Sequence, residues 1–181
     1  MKDERIIMSG SGGQGLMFIG KLFAQMAMDA APHVTFMPSY GAEVRGGTSH
    51  CRIILSDEEI ASPVVEIADT LLVMNQPSLD RFLPVLREGG LLVCNTTLVP
   101  PPNRADIEVA EVEATAWALG MGDTRVANVM MLGAYLRKSG RFDFEVAEAA
   151  IKAFSAAKGP KAEALNTGAL RRGWDTVGAS V

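Results

Sequence analysis

The chain has 181 residues, 48% of them hydrophobic and 21% charged, with a formal net charge of -4. That length suits one domain over residues 1–181, a size that buries about 70% of the surface its unfolded form exposes. The acidic balance excludes the basic footprint of a nucleic-acid or anionic-membrane binder, no apolar run approaches the roughly 20 residues of a membrane span, and Met1-Lys2-Asp3-Glu4-Arg5 does not read as a signal peptide, so the expectation is a soluble cytoplasmic protein.

Residues 5–8 predict a first strand that ends at glycines, and apolar residues at Leu16, Ile19, Phe23, Met26 and Ala27 predict a helix over 16–28. Residues 33–37 read as a second strand that Pro38 closes by removing a backbone donor, so the first 37 residues form one βαβ unit. A third strand is expected over 51–55, followed by the polar turn Ser56-Asp57-Glu58-Glu59. Residues 70–74 are apolar at consecutive positions, as in a strand covered on both faces, and Asn75-Gln76-Pro77 opens a helix that runs to about Arg87, where Gly89-Gly90 stops it. Residues 91–95 give another buried strand, Pro100-Pro101-Pro102 a surface loop, and 107–112 the last strand. Helices follow over 113–119, 124–137 and 144–154, with no element assigned beyond Pro160. Strands alternating with helices, then helices alone, define an α/β fold: a Rossmann-like, doubly wound, mostly parallel sheet with a helical carboxyl-terminal region.

Two glycine-rich loops follow predicted strands. In the first, Gly10, Gly12, Gly13, Gln14 and Gly15 match the spacing of the dinucleotide fingerprint. However, Met37 and Pro38 stand where that motif needs a ribose-binding acid, and no Gly-Lys-Ser/Thr follows to make a Walker loop. The alternatives are tight packing of helix on strand, or contact of exposed amides and Gln14 with an anion or a partner. The second loop gathers Ser39, Tyr40, Gly41, Glu43, Arg45, Gly46, Gly47, Thr48, Ser49 and His50. Such a density of donors and acceptors belongs to recognition. Arg45 suits a carboxylate or phosphate, or else forms a surface ion pair with Glu43. His50 and His33 lack a nucleophile and an orienting acid, so neither is assigned catalysis. Asn75 and Gln76 end a strand at the carboxyl edge where open α/β sheets bind ligands, or else cap the helix. Cys51 and Cys94 sit in apolar runs and read as buried thiols, with neither metal-ligand nor cluster spacing.

Gly10-Ser11-Gly12-Gly13-Gln14-Gly15, the run from Pro38 to Thr48, Met74-Asn75-Gln76-Pro77-Ser78-Leu79, and the run from Arg125 to Gly133 together resemble the gamma subunit of 2-oxoacid:ferredoxin oxidoreductases over residues 5–138. The second loop is most similar to the 2-oxoglutarate and ketoisovalerate types, and pyruvate and indolepyruvate enzymes carry a similar subunit. The resemblance implies a complex in which alpha and beta subunits hold thiamine diphosphate and Mg, iron-sulfur clusters pass electrons to ferredoxin, and coenzyme A accepts the acyl group. A ferredoxin-like delta subunit is a further expected partner. This chain has no thiamine-binding Gly-Asp-Gly segment followed by Asn-Asn and no cysteine run, so it is expected to bind none of these cofactors alone. Its implied role is to shape an inter-subunit cleft, with Gly10 to Gly15 and Tyr40 to Ser49 facing the alpha subunit, and a homodimer is expected of the isolated chain. Open alternatives are a self-contained nucleotide-binding oxidoreductase and a purely structural subunit.

Overall fold

A computed structural model describes residues 3–39 and 48–178. The elements run β1 (Glu4–Ser11), α1 (Leu16–Met28), β2 (His33–Ser39), β3 (Thr48–Ser56), β4 (Ala68–Val73), α2 (Gln76–Phe82), β5 (Leu86–Asn95), β6 (Glu108–Val112), α3 (Ala114–Gly120), α4 (Ala127–Ser139), α5 (Phe144–Ser155) and α6 (Pro160–Thr176). The strands form one six-stranded sheet in the order β2-β3-β1-β4-β5-β6. Strands β1, β4, β5 and β6 are parallel, whereas β3 runs antiparallel to both β1 and β2. The sheet is therefore mixed and mostly parallel, the expected α/β class.

Alternation along each strand divides the core in two. Ile6 and Met8, with Ile53, Leu72 and Val93, join residues of α1, α3, α4, α5 and α6 in one apolar cluster. On the other face Ile7, Ile54, Leu71, Val73 and Leu92 pack with Leu79 and Phe82 of α2. The winding is thus lopsided, five helices against one, and the consecutively buried Leu71, Leu72 and Val73 are what a strand covered on both sides requires.

Three local expectations change. Pro38 lies inside β2, opposite Cys51, rather than ending the strand; β2 is an edge strand, where a missing donor faces solvent. Helix α2 ends at Phe82, five residues short of Arg87, and passes through a 3-10 turn at Leu83–Val85 into β5. Gly89 and Gly90 lie within β5, at a bulge where Leu86 faces Ala68 and Leu91 faces Thr70. Gly89 has φ +67, and a Cβ on Gly90 would meet the Arg87 and Asp69 carbonyl oxygens at 2.9 and 3.0 Å, so these glycines shape a bulge rather than stop a helix. The predicted βαβ unit exists, but its second strand is not the neighbour of the first: β3 fills the gap between them. The stretch beyond Pro160, left unassigned, is the 17-residue α6.

Helices α4 and α6 cross with their backbones nearly touching. A Cβ on Gly133 would lie 2.3 Å from the Leu170 carbonyl oxygen, and one on Gly173 would lie 1.9 Å from that of Met130. At the amino end of the sheet, buried Glu4 accepts hydrogen bonds from Thr70 Oγ1 at 2.7 Å, Tyr135 at 3.0 Å and Arg141 Nε. This joins β1 to β4 and to the end of α4. Burial, reinforced by the Glu4 charge, holds the Tyr135 phenol well above its ordinary pKa, so it stays a donor.

Candidate functional site

The topology brings the ends of four strands to one edge. Ser11, the last residue of β1, is the register partner of Thr48, which opens β3, and Ser39, ending β2, is the partner of His50. Antiparallel β3 thus returns both boundaries of the second loop to the first. Strand β4 ends beside them, and Asn75 Nδ2 donates to Ser11 Oγ. Gly10, Gly12, Gly13, Gln14, Gly15, Ser39, Thr48, Asn75 and Gln76 therefore share the carboxyl edge of the parallel strands. Tyr40, Gly41, Glu43, Arg45, Gly46 and Gly47 lie outside the described residues.

The first loop closes on itself. Gln14 N donates to the Ser11 carbonyl at 3.2 Å, while Gln14 Oε1 accepts from Ser11 N at 2.6 Å. Gly10 is glycine for packing, since a Cβ there would stand 2.8 Å from Met74 Cβ. Gly15, at φ +74, begins α1, and a Cβ would stand 2.2 Å from Asn128 Nδ2, which donates to the Gly15 carbonyl at 2.9 Å. Gly13 differs: its φ is +89 and a Cβ would meet nothing within 4 Å. Ser11, Gly12 and Gly13 are exposed. The loop thus packs through its two ends and leaves its middle exposed.

Asn75 works locally. Its Oδ1 accepts from Ser78 N at 3.1 Å as the amino-terminal cap of α2, while Nδ2 anchors Ser11. Gln76 Nε2 donates to Asp80 at 2.7 Å, leaving its buried Oε1 with no hydrogen-bond partner. His50 is 2% exposed and lies 4.8 Å, centroid to centroid, from Phe82.

The sequence reading missed the charge beside this edge. Arg81 Nη1 donates to Thr48 Oγ1 at 2.8 Å. Arg52, at the middle of β3, has a buried Nε with no hydrogen-bond partner. Burial, then the nearby Arg81 charge, pulls the Arg52 guanidinium below its ordinary pKa. Two arginines side by side favour an anion. No sequence spacing flags the pair, since β3 and α2 are brought together only by the sheet. Cys51 and Cys94 are buried in the clusters on opposite faces of the sheet, so they cannot share a metal or cluster. Burial pushes their thiols up to about 12 and about 11 respectively, with Glu111 adding to the second.

Comparison with known proteins adds four findings. The family described as pyruvate ferredoxin/flavodoxin oxidoreductase matches residues 5–176. The ketoisovalerate oxidoreductase subunit VorA of Methanothermobacter marburgensis is 38% identical over 73% of this chain, which spans only 28% of that protein's length. The 2-oxoglutarate synthase subunit KorC of Methanothermobacter thermautotrophicus is 32% identical over 82% of this chain and 83% of its own. Among solved structures, the gamma subunit of a keto/oxoacid ferredoxin oxidoreductase from Geobacter sulfurreducens superposes with a TM-score of 0.78 at 30% identity, covering 96% of this chain and 97% of that one.

Proposed function

The chain belongs to the pyruvate ferredoxin/flavodoxin oxidoreductase family, and from that premise we propose that it is the gamma subunit of a 2-oxoacid:ferredoxin oxidoreductase complex of the 2-oxoglutarate or ketoisovalerate type. It is a single cytoplasmic domain over residues 1–181 that completes a cleft which alpha and beta subunits begin. The observation that carries this reading is the gathering of the exposed middle of the first loop, Ser39, Thr48 and Asn75 on one sheet edge, with Arg52 and Arg81 alongside.

Within the complex, the partners hold thiamine diphosphate, Mg and iron-sulfur clusters, which supply decarboxylation and electron transfer to ferredoxin. Among the described residues of this chain the two thiols face opposite sides of the sheet, and no group of three or more His, Cys, Asp or Glu is arranged to hold a metal. Its contribution is positional. Asn75 holds Ser11, Ser11 and Gln14 close the loop, and the loop's amides stand at the positive end of α1. Together with Arg45, these groups bind phosphate charge of coenzyme A and exclude water from the reacting end.

Co-expression with the alpha and beta subunits tests the reading. Arg45→Ala and Gly13→Val are expected to assemble normally and to lower coenzyme-A-dependent turnover by about tenfold or more. Wild-type turnover in both variants rejects the cleft and leaves a purely structural subunit; failure of the wild-type chain to join the partners rejects the complex.

A further inference from the structure

Charge is divided unevenly along the chain: up to residue 124 there are eight Lys and Arg against sixteen Asp and Glu, and from residue 125 onward nine against five. The helical carboxyl-terminal region is therefore basic within an acidic protein. Four of its nine cations are ion-paired, Arg125 with Asp123, Lys138 with Glu108, Arg141 with Glu4 and Lys152 with Glu148. Three others lie over aromatic rings instead. Arg137 Cζ is 5.4 Å from the centroid of Trp174, Arg171 Cζ is 3.3 Å from that of Phe144, and Arg172 Cζ is 4.7 Å from that of Trp117. Among the described residues these three arginines form no ion pair and donate no side-chain hydrogen bond. Acids are close in sequence, since Asp175 follows Arg171 by four residues on α6 and Asp143 and Glu145 flank Phe144.

The rings connect the arginines. Phe144 and Trp174 meet edge to face with centroids 5.4 Å apart, so Arg137, Trp174, Phe144 and Arg171 make one continuous row over α4, α6 and α5. Arg172, the exposed neighbour of Arg171 on α6, carries the row to α3 through Trp117. Both tryptophans of the chain thus belong to it, and both are only half-buried. A guanidinium laid on a ring gives one face to the ring and keeps its in-plane N–H groups for another acceptor. The ring also holds in place a side chain that would otherwise lose rotamer freedom on binding. An ordered guanidinium with unmet donors fits a carboxylate, and tryptophan with arginine is the pair on which protein interfaces concentrate their binding energy. Spread over four helices, the row has the extent of a protein contact rather than of a small ligand.

We propose that the row of Arg137, Arg171 and Arg172 on Trp174, Phe144 and Trp117 docks an acidic surface of a partner subunit, with carboxylates on the guanidinium edges and apolar side chains on the tryptophan rings. None of the six belongs to the carboxyl edge of the sheet, so this is a second contact apart from the cleft. Its occupant as a subunit of the same complex rests on the function proposed above. Charge decides against a second copy of the chain: a two-fold dimer through this face sets the same arginines against one another, and like charges repel.

Hydroxyl-radical footprinting of the full chain, alone and co-expressed with the alpha and beta subunits, reads this surface residue by residue. Oxidation of Trp117 and Trp174 in the free chain is expected to be lost in the complex. Arg171→Gln/Arg172→Gln alters two exposed side chains, so it keeps its melting temperature; its affinity for the partners is expected to fall about tenfold or more. Wild-type affinity is expected to weaken as salt rises from about 0.05 to about 0.5 M. Tryptophans oxidised equally in the free and the assembled chain overturn the surface, as does undiminished affinity in the arginine variant. Affinity that does not change with salt overturns the acidic character of the partner. A dimer of the isolated chain in sedimentation, with both tryptophans protected, overturns the partner subunit in favour of a second copy. Failure of the wild-type chain to join its partners rejects the gamma-subunit reading and this surface with it, whereas normal assembly with unprotected tryptophans rejects this surface alone.

Discussion

Gly13 and Gly15 have nearly the same backbone angle and different reasons for being glycine. At Gly13 a side chain meets open space, so Gly13→Ala costs only the left-handed backbone penalty, about 1 kcal/mol. At Gly15 it also strikes Asn128, which must abandon the Gly15 carbonyl; Gly15→Ala is expected to cost about 2–3 kcal/mol, and parallel thermal melts compare the two. A larger loss at position 13 contradicts the exposed middle of the loop. The thiols give a pH signature. Cys51 shifts from 9.0 up to about 12 and Cys94 from 9.0 up to about 11. A raised folded-state pKa means that their contribution is complete below pH 9 and declines as the pH climbs toward 11 and 12, by at most about 1.4 kcal/mol per pH unit for each thiol. Stability curves between pH 7 and 11 should fall at the alkaline end, and Cys51→Ala/Cys94→Ala should flatten that fall. At this scale, sequence disclosed glycine clustering but not purpose: Gly10 is crowded, Gly13 free and Gly15 both strained and crowded, and a Cβ's neighbours depend on chain far removed in number.

The glycine seam between α4 and α6 is the element-scale counterpart. Adding one methyl at Gly173 drives it into the Met130 carbonyl at 1.9 Å, and backbone cannot yield as a flexible side chain does. Gly173→Ala is therefore expected to cost about 3 kcal/mol, lowering the melting temperature by roughly 6–12 °C. Gly168→Ala on the same helix, where the nearest atom is the flexible end of Met121 at 3.4 Å, should be close to neutral. Equal melting temperatures for the two variants rule out the seam. Helix α6 itself carried little sequence pattern, because its buried positions are Asn166, Ala169, Leu170 and Gly173, with one large aliphatic residue among them. The long apolar runs of β4 and β5 were legible for the opposite reason: burial on both faces writes itself into consecutive residues. The end of α2 was misjudged because Gly89-Gly90 resembles a helix stop, whereas here it absorbs surplus residues in β5.

Across the whole molecule, composition and element order disclosed the α/β class, but not that β3 inserts in reverse between β1 and β2, since strand order depends on long-range pairing. That insertion is what joins Ser11 to Thr48, so the candidate site was half visible: its residues could be named, their meeting could not. The far edge is held by Glu4, and Glu4→Ala, which leaves Arg141 and Tyr135 without their shared acceptor, is expected to cost about 3–5 kcal/mol in urea unfolding. A loss below about 1 kcal/mol shows that the cluster does not tie β1 to α4. Pro38 has a further effect on solubility. The outermost strand offers neighbours a row of unmet amides, and a proline in it breaks the row, so a foreign strand extending the sheet along β2 loses a bond at that point. Such an interruption disfavours stacking strand upon strand into aggregates along that edge.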